Sequence, residues 1–214
     1  MSQPAPRTLG AVLYPQFELL DLYGPLEMFG ALDQEIRIVT VAESKGPVAS
    51  TPGVETVARH DFRDCPPLDL ILLPGGIGTL AQLGNAALLD FLRKRAGEAE
   101  ITMSVCSGSA LLAKAGLLDG RRATSNKLFF QVARSQSAQV KWITAARWVE
   151  DGPFATSSGV SAGTDMALAV IAKLYGRERA EQIAIRTEYS WHRDADRDPF
   201  ARYLDQGIVP PATG

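Results

Sequence analysis

Chemistry enters this chain most plainly at Cys106. The residue stands where the apolar run Ile101–Val105 gives way to Cys106-Ser-Gly-Ser109 and then to Ala110–Ala115. The first run reads as a buried parallel strand and the last as a helix, which sets the cysteine on the turn between them. Ser104 and Gly108 flank it at two residues on each side. This small-x-nucleophile-x-small spacing lets the backbone turn tightly and pushes the side chain into the open. The helix that follows aims unpaired N–H groups and the positive end of its dipole at the sulfur. The sequence therefore predicts a partly exposed cysteine held toward thiolate. A free cysteine without such a frame is more often inert packing. Cys65, in the loop entry Asp64-Cys-Pro-Pro67, is read as structural.

Two further groups have the chemistry to serve such a thiol. Asp21 is an acid set among Leu19, Leu20 and Leu22. Desolvation there would raise its pKa and let it hold and return a proton near neutral pH, although a helix-start acid favoured by the dipole has the same appearance. Glu18 and Glu27 are expected to face solvent. Pro74-Gly75-Gly76-Ile-Gly78 follows an apolar strand, and its flexible backbone could aim N–H groups at developing negative charge. The N–H groups of Gly76 and Ser107 are the expected oxyanion donors, unless the glycines only turn the chain. Two histidines, His60 and His192, are too few and too scattered to suggest a metal site.

The elements that must position these residues alternate between strand-like and helix-like segments. Strands are expected at 8–14, 36–42, 68–73, 101–105, 140–143, 146–149 and 154–157, with a pair of short strands across 47–58. The last two of the long series should be joined as a hairpin through Glu150-Asp151-Gly152. Helices are expected at 19–32, kinked at Gly24-Pro25, and at 87–96, 110–115, 126–134, 162–175 and 177–189, with Gly176 breaking the last pair. This alternation predicts one α/β domain, a mostly parallel sheet flanked by helices on both faces. Ligands bind such sheets at the carboxyl ends of the strands. Cys106, Pro74–Gly76 and Asp21 all fall there.

At 214 residues the chain is long enough for one sizeable core. Residues 1–7 read as a disordered lead, 8–190 as the α/β domain, and 191–214 as an extension that packs on the domain or on a dimer partner. A formal net charge of −2 gives no electrostatic reason to expect nucleic acid or an anionic membrane as a partner. Two distant cysteines, no signal-like leader and no membrane-length apolar stretch lead us to expect a cytoplasmic protein.

Taken together, Asp21-Leu-Tyr-Gly-Pro25, Pro74-Gly-Gly76, Ser104-Val-Cys-Ser-Gly-Ser109, Ala115-Gly-Leu-Leu-Asp-Gly120, Ala123-Thr-Ser-Asn126 and Ser158-Gly-Val-Ser-Ala-Gly-Thr-Asp165 resemble the ThiJ/PfpI superfamily. The resemblance runs from Thr8 to about Glu188. It implies a flavodoxin-like, class I glutamine amidotransferase-like fold, a cysteine on the strand–helix elbow, a carboxylate reaching it from the first helix, no cofactor, and a homodimer. Within the superfamily the chain looks most like the isocyanide hydratase branch, which has aspartate where other branches have glutamate and a small hydroxyl residue after the cysteine. Asp21 and Ser107 match both. The proteolytic branch has histidine directly after the cysteine, where this chain has Ser107.

The resemblance implies that Cys106, Asp21 and Ser107 carry catalysis, and that Gly75, Gly76, Ser107, Asn126, Gly159 and Val160 surround the substrate. Many relatives have histidine where this chain has Asn126. Asn126 and Lys127 could meet a ligand or form an exposed helix-start pair. Trp191, His192 and Arg193 are assigned to capping or dimer contacts. The implied activity is hydration of an isocyanide, a small-molecule substrate, to the N-substituted formamide. Glyoxalase or deglycase chemistry at the same site, and a non-catalytic redox or ligand sensor, are the alternatives. The short remainder after the core leads us to expect no DNA-binding domain.

Overall fold

The computed structural model describes residues 5–207. In chain order the elements are β1 (Arg7–Val12), α1 (Leu19–Gly30), β2 (Ile36–Ala42), β3 (Gly46–Ala49), β4 (Glu55–Ala58), β5 (His60–Asp61), β6 (Leu70–Leu73), α2 (Thr79–Gln82), α3 (Ala86–Ala96), β7 (Ile101–Ser104), α4 (Gly108–Lys114), β8 (Arg122–Ala123), α5 (Phe130–Arg134), β9 (Lys141–Trp142), β10 (Trp148–Asp151), β11 (Phe154–Ser157), α6 (Ala162–Tyr175) and α7 (Arg177–Arg186). Seven strands form the main sheet in the order β10-β11-β7-β6-β1-β2-β5. Every pairing is parallel except the β10–β11 hairpin at one edge. The fold is therefore the expected α/β class, a mostly parallel sheet flanked by helices.

The central strands are apolar because both faces are covered. Leu70, Ile71, Leu72 and Leu73 of β6 are fully buried, and each such side chain contributes about 1.5–3 kcal/mol of burial. Strand order reverses between β1 and β6: β1 leads outward to β2, and β6 leads the other way to β7. A crevice opens at the carboxyl ends where that reversal occurs. The loops after β1, β6, β7 and β11 meet there.

Several boundaries differ from the sequence reading, each for a local reason. Arg7, assigned to the lead, already pairs with Ile36. Helix α1 continues through Pro25 and stops at Gly30, with Asp33 at φ +53 opening a short 3₁₀ turn. Only Phe130–Arg134 of the expected 126–134 helix forms, because Asn126 Oδ1 takes the Phe129 N–H and holds the preceding residues in a loop. Strand β10 starts at Trp148 rather than Ala146, and the N–H groups of Arg147 and Trp148 both donate to the Ala195 carbonyl of the C-terminal segment. Helix α7 ends at Arg186, short of Tyr189. Residues 1–4 of the expected lead and 208–214 of the expected extension lie outside the described residues. Among the described residues no helix is long and apolar enough to cross a membrane.

Candidate active site

At the end of β7 the chain turns through Cys106 at φ +58, a left-handed conformation that costs a side-chain-bearing residue about 1–3 kcal/mol and must be enforced by its surroundings. The enforcement is visible on every side. Cys106 N–H donates to Ser158 O at 2.8 Å, and Cys106 O accepts the hydroxyls of Ser109 at 3.2 Å and Ser125 at 3.1 Å. A Cβ at Gly108 would lie 2.7 Å from Leu73 O and 2.8 Å from Pro74 O, so only glycine lets the elbow seat against the end of β6.

Asp21 arrives from the first turn of α1 and is fully buried. The loops after β1 and β6 interlock to bring it there: Glu18 N–H donates to Gly75 O at 2.8 Å, and Gly78 N–H to Gln16 O at 3.1 Å. Gly75 N–H in turn donates to Asp21 Oδ2 at 2.8 Å. The other oxygen, Oδ1, is buried without a hydrogen-bond partner. Burial raises the Asp21 carboxyl well above the usual carboxylate range and the Glu18 charge adds to this, while the Gly75 N–H and the Cys106 thiol pull it back.

Burial also pushes the Cys106 thiol well above its ordinary value, with the Asp21 charge adding to it. Hydrogen bonds from the Ser107 backbone and from the Asn126 and Ser107 side chains oppose the shift. The expectation of an exposed, dipole-stabilised thiolate is thus corrected. The residue is 7% exposed, and α4 has 7 residues, so desolvation and a neighbouring acid outweigh its dipole. A thiol and a carboxyl this dry and this close titrate as a pair, each ionisation opposing the other.

Of the two expected oxyanion donors, the Ser107 N–H is turned to the Cys106 sulfur, whereas the Gly76 N–H is engaged elsewhere. Gly76 N–H is taken by Ser107 Oγ at 3.1 Å, and Gly75 N–H by Asp21. A Cβ at Gly75 would lie 2.6 Å from Ser107 N and 2.9 Å from Cys106 Cβ, so the β6 loop lies directly on the elbow. Ser107 Oγ also shares a hydrogen bond with Thr79 Oγ1 at 2.9 Å, and Thr79 Oγ1 shares one with Tyr14 Oη at 3.0 Å. Tyr14 Oη donates to Pro74 O at 2.7 Å. Sequence reasoning missed Tyr14 and Thr79, because nothing local to either residue points at the elbow.

Asn126 Oδ1 accepts the Phe129 N–H at 3.1 Å, which leaves Nδ2 for the Cys106 sulfur, 3.7 Å from where a Cβ at Gly159 would stand. Asn126, Gly159 and Val160 line a cavity of about 490 Å³ together with Leu20, Phe200 and Tyr203. A larger cavity, about 1120 Å³, lies among Arg7, Leu32, Glu35 and Tyr175 at the opposite, amino end of β1, and it contains none of the candidate groups.

Lys127 is not the exposed partner of Asn126 that the sequence suggested. It is 2% exposed. Its Nζ donates to Thr124 Oγ1 at 2.8 Å and Ala146 O at 2.6 Å, and stands 3.7 Å from Asp198. Arg147 Nε donates to Asp165 Oδ2 at 2.7 Å, and its Nη1 lies 3.8 Å from Asp198. Ser158, whose carbonyl holds the Cys106 N–H, donates its hydroxyl to Asp198. Trp191 Nε1 donates to Asp165 O at 3.2 Å and His192 N–H to Asp165 Oδ1 at 2.9 Å, which fastens the C-terminal segment to α6. Arg147, Asp165 and Asp198 were also missed. Asp165 lay inside a quoted motif, whereas Asp198 carries no local signal.

A doubly wound sheet with a cysteine on a strained strand–helix elbow and a buried acid delivered from the first helix defines a class of α/β proteins built around one candidate nucleophile. The chain belongs to the DJ-1/PfpI family, whose profile matches residues 10–173. It is 36% identical over 183 residues to isonitrile hydratase of Pseudomonas putida, covering 85% of this chain and 78% of that protein. It is 31% identical over 139 residues to the HTH-type transcriptional regulator CdhR of Pseudomonas aeruginosa, covering 65% of this chain and 41% of the regulator. Among solved structures it is similar to a ThiJ/PfpI family protein from Pseudomonas syringae, with a TM-score of 0.78 at 36% identity over 91% of this chain and 77% of that one. Drosophila melanogaster DJ-1beta shares the fold, with a TM-score of 0.76 at 20% identity over 87% of this chain and all of that one.

Proposed function

We propose that this protein hydrates an isocyanide, R–NC, to the N-substituted formamide through a covalent bond to Cys106. The observation that carries the reading is the buried Asp21 carboxyl beside the Cys106 thiol, with one carboxyl oxygen held by Gly75 and the other unpartnered. The similarity to an isonitrile hydratase supports it.

The pair needs only one proton to work. The thiol proton passes through Asp21 Oδ1 to the terminal carbon of the isocyanide as the sulfur bonds to that carbon, which gives the thioimidate R–N=CH–S–Cys106 and leaves Asp21 ionised. Asp21 then takes a proton from water as the oxygen attacks the same carbon and passes it to the imidate nitrogen. Collapse of R–NH–CH(OH)–S–Cys106 expels the sulfur, which takes up the hydroxyl proton through Asp21, and releases R–NH–CHO. Atoms and protons balance with one water consumed. A raised thiol pKa suits this path, because the nucleophile is generated by proton transfer at the moment of attack rather than stored as an exposed thiolate. Ser107 N–H and Asn126 Nδ2 are the donors that steady the sulfur as it gains charge.

The same burial weighs against an oxidation sensor, since sensing thiols are exposed and readily ionised. The test is formation of N-phenylformamide from phenyl isocyanide by the wild-type protein and by Cys106→Ala. Turnover by the parent that is lost in the variant is expected. No turnover by the parent, with methylglyoxal consumed instead, would overturn the reading.

A further inference from the structure

Cys106 does not itself line the cavity of about 490 Å³ but adjoins it through the Ser158 carbonyl that takes its N–H and the Asn126 side chain turned to its sulfur. One wall of that cavity takes no part in the proposed proton transfers and is built from the far end of the described chain. Segment 198–207 is fastened at both ends. Asp198 N–H donates to Ala145 O at 2.7 Å, while Asp205 N–H donates to Lys127 O at 2.8 Å and Gly207 N–H to Leu128 O at 2.9 Å. Asp198 Oδ1 also takes the Phe200 N–H at 3.0 Å, and Asp205 Oδ1 the Gln131 N–H at 2.7 Å. Between these fastenings a 3₁₀ turn, Ala201–Tyr203, sets Phe200 and Tyr203 in the cavity wall with ring centroids 6.4 Å apart.

The remaining wall decides what such an aromatic pair would meet. The two cations in the lining, Lys127 and Arg147, are already compensated by Asp198 and Asp165 and by the Thr124 and Ala146 oxygens. Neither is left to attract an anion. Leu20, Leu128 and Val160 share the cavity lining with Phe200, which is 52% exposed. Small-ligand sites are mostly apolar, with a few polar groups fixing orientation. Aromatic faces prefer offset or edge contacts with another ring.

We propose that the turn at Phe200 and Tyr203 is the specificity element of this site, a subsite for a flat aryl group on a neutral substrate, with Asp198 as the positioning residue that holds the turn against Ser158. That the aryl group is the R of an isocyanide rests on the reading above. The subsite itself does not depend on it.

Two measurements separate the claims. In the Cys106→Ala background, N-phenylformamide is expected to bind about tenfold or more tightly than N-methylformamide, followed by titration NMR. Phe200→Ala should reduce that preference by about tenfold, the usual discrimination of one apolar contact surface. Ile185→Ala, an exposed apolar truncation on α7, should leave the preference unchanged. In the Cys106-containing protein, Phe200→Ala should lower the ratio of kcat/KM for phenyl over methyl isocyanide by a similar factor, and Asp198→Asn should lower it through KM more than kcat. Equal binding of the two formamides, no detectable binding of the phenyl compound, or a preference indifferent to Phe200→Ala would overturn the subsite. A binding preference that persists in a protein with no hydration of any isocyanide would overturn the proposed function and leave the subsite standing.

Discussion

Asp21 is held at one oxygen only: Gly75 donates its N–H to Oδ2 at 2.8 Å, and Oδ1 is buried with no partner. Leaving a buried acceptor unsatisfied costs about 1–3 kcal/mol, a cost removed when Oδ1 carries a proton it can donate. The arrangement leaves Oδ1 free to take up the Cys106 thiol proton and to hand it to whatever meets the sulfur.

Asp21→Asn keeps an acceptor for the Gly75 N–H but cannot shuttle a proton. Turnover should fall by about 10²–10⁴-fold, the usual contribution of a positioned acid or base. The thiol should move the opposite way from a simple loss. Removing the Asp21 charge removes one of the causes that raise the Cys106 pKa, so thiolate absorbance should appear at lower pH than in the parent. Stability should also respond. A carboxyl whose folded pKa is raised binds more protons folded than unfolded, so the parent loses stability as pH climbs above the ordinary carboxylate range. The variant should therefore melt at higher temperature than the parent at pH 7, with the gap closing in acid. An Asp21→Asn protein that hydrates an isocyanide at the parental rate would redirect attention to Glu18.

Gly75→Ala tests the contact between the β6 loop and the elbow. The added methyl would stand 2.6 Å from Ser107 N and 2.9 Å from Cys106 Cβ, neither of which is a flexible side-chain end. Overpacking of this kind costs about 1–3 kcal/mol. The displaced elbow should cost turnover by at least about tenfold, because small misplacements of reacting groups are expensive. Urea denaturation with unchanged slope and a lower midpoint is the expected readout.

Lys127 gives a pH signature of the C-terminal attachment. Burial lowers its pKa to about 8, with Asp198 opposing the shift, against about 10.4 in an unfolded chain. Between those values the folded state binds fewer protons than the unfolded state, so stability rises with pH across that window and carries its full penalty below it. Relative to Lys127→Met, the parent should gain on the order of 2–3 kcal/mol from pH 8 to pH 10.4. A parallel pH dependence in the two proteins would rule out Lys127 as the buried titrating group.

What could be read from the sequence was whatever is local. The apolar blocks Ile101–Val105 and Leu70–Leu73 announce buried parallel strands, and Ser104-Val-Cys-Ser-Gly108 announces the elbow, because turn geometry is written in adjacent small residues. The state of the thiol was not legible. It depends on how deeply the loops after β1 and β6 cover the elbow, and that is decided by contacts such as Gly75 to Ser107, more than thirty positions apart. Lys127 looked like a surface residue because a lysine beside Asn126 at an expected helix start has no visible partner, and its burial is made possible by Asp198, which reaches it from the far end of the described chain. Arg147 was read into a strand for the same reason: the partner that takes its N–H, Ala195, is distant.

Asn126 supplies the last prediction, since its amide orientation is fixed by a contact that does not involve the thiol. Oδ1 accepts the Phe129 N–H at 3.1 Å, so Nδ2 is the group turned to the sulfur, where it favours the charged form. Asn126→Asp preserves the acceptor for Phe129 and replaces the donor with a second carboxylate oxygen beside Cys106 and Asp21. Three groups would then compete for ionisation in one buried site. The thiol pKa should rise further, and kcat should fall by about 10²–10³-fold, the range for removal of one preorganised donor. Asn126→Ala removes the donor without adding charge, so it should reduce kcat while moving the thiol less than Asn126→Asp does. Thiolate titration and steady-state rates on both variants decide the matter. If Asn126→Asp left the thiol pKa and kcat at parental values, the amide would be holding the loop before α5 and nothing more.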